Sequence, residues 1–339
     1  MGVLLFTLFV WAGTAGAQVV VDRVHQNASL EVSLAGGKLT VSLDPLTSLL
    51  AHTSAMYGMN RQTGVAYYAV REDGAAKACV DQDLLAALEV KSRTSAPTVM
   101  SSQFHPAFRE AVARGASKKM PDSAAIAAIA PSDFGRAAAR MWDCFYRAYW
   151  ERRFDTLAEA FRTMTANVHW AEAMAHMERV TGRKWTGDAW VFATEGVGKS
   201  AVWVKPNISV GGVGEWDDGG FVHEGLHLML KEEWARDARI QALMAKRGFR
   251  DPYWGSNWPG KYEQALVACL DIWIRGFHKR YPEAKVVPNY LEGVRAGDLA
   301  QVAWPLVKTH AETPSRSIED LMFELIGRAE SGGPAEVQR

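Results

Sequence analysis

Three runs near the N-terminus alternate in a strand-like way: Val19 to Val21, Leu30-Glu31-Val32-Ser33-Leu34 and Leu39-Thr40-Val41-Ser42-Leu43. A period of two puts one face of an extended chain against a core, and Ala35-Gly36-Gly37-Lys38 predicts a hairpin between the last two runs. From about residue 80 to 182 the apolar spacing lengthens to that of a helix. Ser132-Asp133 caps a segment running through Trp150, and Phe154 to Met164 and Val168 to Val180 follow. Short strands return at 188–194, 200–204 and 207–210. The glycine-rich stretch Ser209 to Gly220 ends in Asp217-Asp218-Gly219-Gly220, whose aspartates suit the N-terminus of a helix over the apolar run Phe221 to Leu230. Lys261 to Tyr281 and Ser317 to Arg328 read as two further helices, and Ser331-Gly332-Gly333-Pro334 opens a frayed tail. The pattern is that of a helix-rich α+β chain. Strands and a helical lobe occupy 18–184, a second region occupies 185–330, and a flexible tail covers 331–339.

Composition narrows the partners. The 339 residues are 48% hydrophobic, enough for a sizeable core, and 38 basic residues balance 38 acidic ones. Nucleic-acid binders carry a basic excess, so none is expected as a partner. Val3 to Trp11 is an apolar run, and Ala15-Gly16-Ala17 supplies small residues before Gln18; residues 1–17 therefore read as a cleavable export signal, with a periplasmic or secreted destination. That run is too short to span a bilayer, so no stable membrane insertion is expected. The three cysteines, Cys79, Cys144 and Cys269, permit one disulfide whose pairing spacing leaves open, and Cys269 reads as a buried small hydrophobe.

The chemistry concentrates at His223-Glu224-Gly225-Leu226-His227, an H-E-x-x-H match set among Val222, Leu226, Leu228, Met229 and Leu230. Residues i and i+4 of a helix share a face about 6 Å apart along the axis, so two imidazoles reach one ion while the intervening glutamate reaches a water beside it. About 0.015 such matches are expected by chance in a chain of this composition. A solvated stripe would not surround its histidines with leucines, and a buried one must satisfy two rings and a carboxylate.

A catalytic zinc takes three protein ligands and leaves one position open. An extended motif with a third histidine six residues after the second would use position 233, which is Glu233, and Leu230 replaces the turning glycine of that class. Glu263, in the first turn of the strongly apolar helix Tyr262 to Asp271, is the better third ligand, because a carboxylate carried into an apolar interior needs a partner. Asp271, two turns on, is the next choice, or a group that orients a ligand.

With these residues the chain resembles a zincin metallopeptidase of the gluzincin kind over roughly 185–281, most like exported bacterial peptidases in which helices like Glu263-Gln264-Ala265-Leu266-Val267-Ala268 follow the motif. Glu263 lacks the Asn-Glu signature of the best-known gluzincins. The resemblance implies a zincin-like unit, a small sheet with an edge strand plus the motif helix, packed with the helical lobe. It also implies one Zn2+ held by His223, His227 and Glu263, and Ala201 to Val204 as the edge that holds a peptide substrate by strand addition. Glu224 is then the general base of peptide-bond hydrolysis. Tyr253, Tyr262, His278, Tyr281 and Tyr290 are eligible to steady the developing oxyanion. Two alternatives use the same residues: an exported zinc-binding protein without turnover, and a zinc hydrolase of non-peptide amides or esters. Ala193 to Ser200 fits a relaxed phosphate-loop pattern, but a strand-like run follows where a helix N-terminus is required, so no nucleotide is expected. His169 and His176 lie about 10 Å apart along a helix, too far to share an ion.

Overall fold

A computed structural model describes residues 18–34, 36–57, 74–87, 122–129, 133–195, 202–204, 208–213, 218–246, 250–251, 255–256, 260–276, 297–314 and 316–330. The alternating runs pair as the pattern demands. Strands β1 (Val20–Asp22), β2 (Asn27–Leu34) and β3 (Gly37–Leu43) form consecutive antiparallel pairs, with Leu34 opposite Gly37 at the hairpin. Glycine is required there by space: a Cβ on Gly36 would lie 1.9 Å from the Trp185 carbonyl oxygen, and one on Gly37 2.0 Å from that of Gly187. β3 then pairs in parallel with β4 (Ala189–Thr194), and β4 in parallel with β6 (Ile208–Gly212). β5 (Val202–Val204) lies antiparallel to β6 at the sheet's edge. The order β1-β2-β3-β4-β6-β5 makes one mixed sheet from two stretches of chain, 20–43 and 189–212.

Between β3 and β4 the chain is helical. Asp44 caps α1 (Pro45–Met56): its Oδ1 accepts from the Thr47 N–H at 2.9 Å and its Oδ2 from the Thr47 hydroxyl at 2.6 Å, with proline at the first helical position. Every described side chain of α1 is buried, so the helix carries no amphipathic stripe for a periodicity reading to find. α2 (Gly74–Ala78), α3 (Ser123–Ile129) and α4 (Asp133–Met141) follow; a π-helical turn at Trp142–Tyr146 then joins α4 to α5 (Arg147–Asn167). The break expected near Trp150 does not occur, because Glu151 and Arg152 are solvent-facing positions of a continuous rod rather than a turn. Trp150, Phe154, Leu157, Phe161 and Met164 form its buried stripe, and the rod packs on β2 and β3. α6 (Trp170–Thr181) ends at Gly182, whose φ of +66° makes a left-handed C-cap.

After the sheet come α7 (Asp218–Arg236), α8 (Ala238–Lys246), a two-stranded ribbon of β7 (Arg250–Asp251) and β8 (Gly255–Ser256), and α9 (Gly260–Ile274). Two further helices, α10 (Gly297–Glu312) and α11 (Ile318–Glu330), complete the described chain. α9 stops at Ile274, short of the expected Tyr281, and Gly276 takes a φ of +66° just beyond it. α9 lies against α10, with Ala265 to Ile272 buried without exception. Among the described residues no helix is long and apolar enough to cross a membrane. Residues 1–17 and 331–339, where a leader and a flexible tail are expected, lie outside them.

One buried group ties this assembly to pH. His310 of α10 donates from Nε2 to the Val180 carbonyl of α6 at 2.7 Å, and burial, aided by Arg316, holds its ring below the ordinary histidine value. The unfolded ring then gains a proton near pH 6.5 while the folded one resists, so lowering the pH from about 6.5 subtracts stability until the folded value is reached. Urea unfolding at pH 7.5 and 5.5 is expected to show a larger acid loss for the wild type than for His310→Asn; equal losses would reject this role.

Candidate metal centre

α7 begins at Asp218, where the paired aspartates predicted its N-terminus, and runs on through position 233. A continuing helix at that point excludes the extended three-histidine arrangement along this segment. Phe221, Glu224, Gly225 and Leu228 recur at three- and four-residue spacing, and together they face the sheet. Gly225 lets α6 come close, since a Cβ there would meet the Met177 sulfur at 3.0 Å. His223 and His227 fall on a neighbouring strip of the helix, turned toward α9. Their ring centroids are 5.0 Å apart with planes inclined at 75°.

α9 brings three polar side chains to these rings. Glu263 Oε1 lies 3.0 Å from His227 Nδ1, and both side chains are largely buried. Gln264 Nε2 lies 3.0 Å from His223 Nε2. Asp271 Oδ2 stands 3.8 Å from His223 Nδ1, outside hydrogen-bond range but within that of an ion pair. Gln264 and Asp271 are seven residues apart on one helical face, so they flank the same imidazole, while Glu263 serves the other. Asp271 also pairs with Arg275 at 2.7 Å, which balances a fully buried carboxylate one turn along α9.

The electrostatics follow from this crowding. Burial would push the His227 ring down, but the Glu263 carboxylate, with help from Glu224 and Gln264, carries it above the ordinary histidine value. Burial raises the Glu224 carboxyl; the two histidines pull it back and Asp271 and Glu263 push it up, for a net rise. Glu224 lines a small hollow between α7 and the sheet, walled by Leu39, Trp185, Trp190, Phe221 and Leu228 and enclosing about 10 Å³. That is the space of a single water.

The structure thus brings His223, His227, Glu224 and Glu263 together from two helices, and adds Asp271 beside them. Among the described residues no three His, Cys, Asp or Glu side chains already converge on one metal position. Glu263 instead rests directly on His227, an arrangement in which buried donors satisfy one another. The donor set itself, two imidazole nitrogens and a buried carboxylate oxygen, suits zinc. Gln264 escaped the sequence reading: nothing in its type or position marks it apart from the neighbouring Glu263.

Of the eligible oxyanion donors, Tyr262 is committed elsewhere, its hydroxyl donating to Glu330 at 3.0 Å. Tyr253, His278, Tyr281 and Tyr290 lie outside the described residues, as does the loop at 196–200. After β4 the next described element is strand β5, not a helix, so the phosphate-loop pattern lacks the helix N-terminus it needs. His176 pairs with Glu172 at 3.6 Å on the surface, and His169 precedes α6 as its cap residue. Compared with known proteins, the chain matches no family model, no curated protein and no solved structure.

Proposed function

We propose that the protein is a zinc-dependent peptidase of zincin-like organisation, with His223, His227 and Glu263 as metal ligands and Glu224 as general base. The observation that carries this reading is the meeting of α7 and α9, where Glu263 reaches His227 at 3.0 Å from 36 residues away in sequence. A motif met by chance on a helix would have no reason to find a buried carboxylate on the facing element. When bound, zinc supplies Lewis acidity, polarising a carbonyl and acidifying water.

The chain's own groups supply the rest. Glu224, raised by its apolar hollow, accepts the proton of the attacking water and returns it to the leaving amine. Asp271 orients the His223 ring from behind. Among the described residues β5 pairs only with β6, which leaves its outer edge for an extended peptide to join by strand addition. A disulfide between Cys79 and Cys144 supports an oxidising, exported setting.

Zinc titration of chelator-treated protein, followed by peptide-library cleavage with and without chelator, tests the reading. Uptake of one zinc and chelator-sensitive cleavage are expected. Failure of the folded protein to take up any transition metal overturns it, and uptake without cleavage of any library member reduces it to a binding protein. Glu263→Gln separates a ligand from an orienting partner. It should weaken zinc binding by more than the roughly 10–100-fold that loss of an outer partner costs. A smaller change measured by competition with a zinc chelator would move Glu263 out of the ligand set.

A further inference from the structure

Gln264 takes no part in the proposed reaction, yet it sits at its centre. Its Nε2 lies 3.0 Å from His223 Nε2, and the same carboxamide is hydrogen-bonded to His227. It therefore spans two rings whose centroids are 5.0 Å apart. The side chain comes from the first turn of α9, next to Glu263, and unlike that neighbour it is only partly buried.

Donor and acceptor chemistry fixes the roles. A carboxamide nitrogen only donates, so the His223 Nε2 lone pair accepts from it and the proton of the neutral ring is on Nδ1. Nδ1 is the nitrogen that faces Asp271 Oδ2, at 3.8 Å. In that tautomer Nε2 alone carries a lone pair in the ring plane, so it is the one atom of His223 able to hold a metal. Zinc sits about 2.0–2.1 Å from a ligating histidine nitrogen. The amide nitrogen is 3.0 Å from Nε2, so an ion on the same lone pair would come to rest roughly 1 Å from it. The two cannot be there together.

We propose that Gln264 competes with the metal for His223 Nε2 and so sets the affinity of the centre. The inference deepens the zinc reading and rests on it, through His223 as a ligand. Zinc enters those molecules in which the Gln264 side chain has turned away, and the observed dissociation constant is the intrinsic one divided by their fraction. Partial exposure lets the side chain turn toward solvent while α9 stays in place.

The test compares the full mature chain with Gln264→Ala, each freed of metal and titrated with zinc in competition with a chelator. Removing the hydrogen bond should tighten zinc binding by roughly 2- to 10-fold, the worth of one ordinary hydrogen bond. The direction is diagnostic, because a destabilised protein, or one that has lost a residue merely orienting His223, binds zinc more weakly. Nitrogen NMR of the unmutated protein supplies a second readout. Without metal, His223 should be protonated at Nδ1 and accept at Nε2, and zinc should shift Nε2 and the Gln264 side-chain amide together. Uptake of one zinc by the wild type with equal or weaker binding by folded Gln264→Ala overturns the proposal and leaves the zinc reading standing. So does a neutral His223 ring protonated at Nε2 in the metal-free protein. Uptake of no metal by either protein overturns the zinc reading and this inference with it.

Discussion

Replacing Glu224 with glutamine is expected to lower peptide hydrolysis by about 10²–10⁴-fold, the usual worth of a positioned general base, while zinc uptake stays unchanged. The amide has the shape of the carboxyl group but cannot take a proton. Glu224 sits on the sheet-facing side of α7 with Phe221, Gly225 and Leu228, whereas the proposed ligands His223 and His227 are turned toward α9, so the substitution leaves all three ligands untouched. Stability should not fall, because burial already disfavours the charged carboxylate and a neutral amide suits the same hollow. Zinc titration and hydrolysis of a peptide identified from the library, measured on the same preparation, check both halves. An unchanged rate would remove Glu224 from the mechanism, and loss of zinc along with activity would show that it serves the metal instead.

Much of the candidate site was legible because its signal is local. H-E-x-x-H is a spacing, and the helix that realises it starts at Asp218, where the aspartate pair in the sequence predicts an N-terminus. Glu263 was legible by a different argument, that a carboxylate in a helix as apolar as Tyr262 to Ile272 must have company; the structure supplies His227. Gln264 was not legible, since a glutamine in a first turn is ordinary and only the packing angle of α9 on α7 turns it toward His223. The same division holds for the fold. Period-two runs yielded β2 and β3 and their hairpin, and short apolar runs yielded β4 to β6. The parallel pairing of β3 with β4 spans about 150 residues and has no local trace. α1 was missed because burial on every side erases the stripe on which helix reading depends, and α10 because Pro305 interrupts its pattern. Local patterns report what a segment is; they do not report what it meets.

Pairing of the cysteines belongs to the second kind, and it sets the other large effect. Cys79, at the end of α2, is joined to Cys144 in the π-helical turn, while Cys269 is buried and free, its thiol pushed up by burial. The bridge closes a loop of 65 residues. By loop-closure entropy such a constraint is worth about 4 kcal/mol. The double variant Cys79→Ala, Cys144→Ala is therefore expected to lose roughly that much in urea unfolding, and reductant should destabilise the wild type but not the variant. Thiol titration fixes the premise: unreduced, denatured protein should show one reactive thiol, from Cys269, and reduced protein all three. The bridge joins the α2 end to the rod α4–α5, whose buried stripe packs on β2 and β3, while the metal centre lies on α7 and α9. Zinc affinity of the folded variant should accordingly match that of the wild type. An unchanged unfolding midpoint in the variant would show that this part of the fold holds without the covalent tie, and three reactive thiols in unreduced protein would show that the tie is not made.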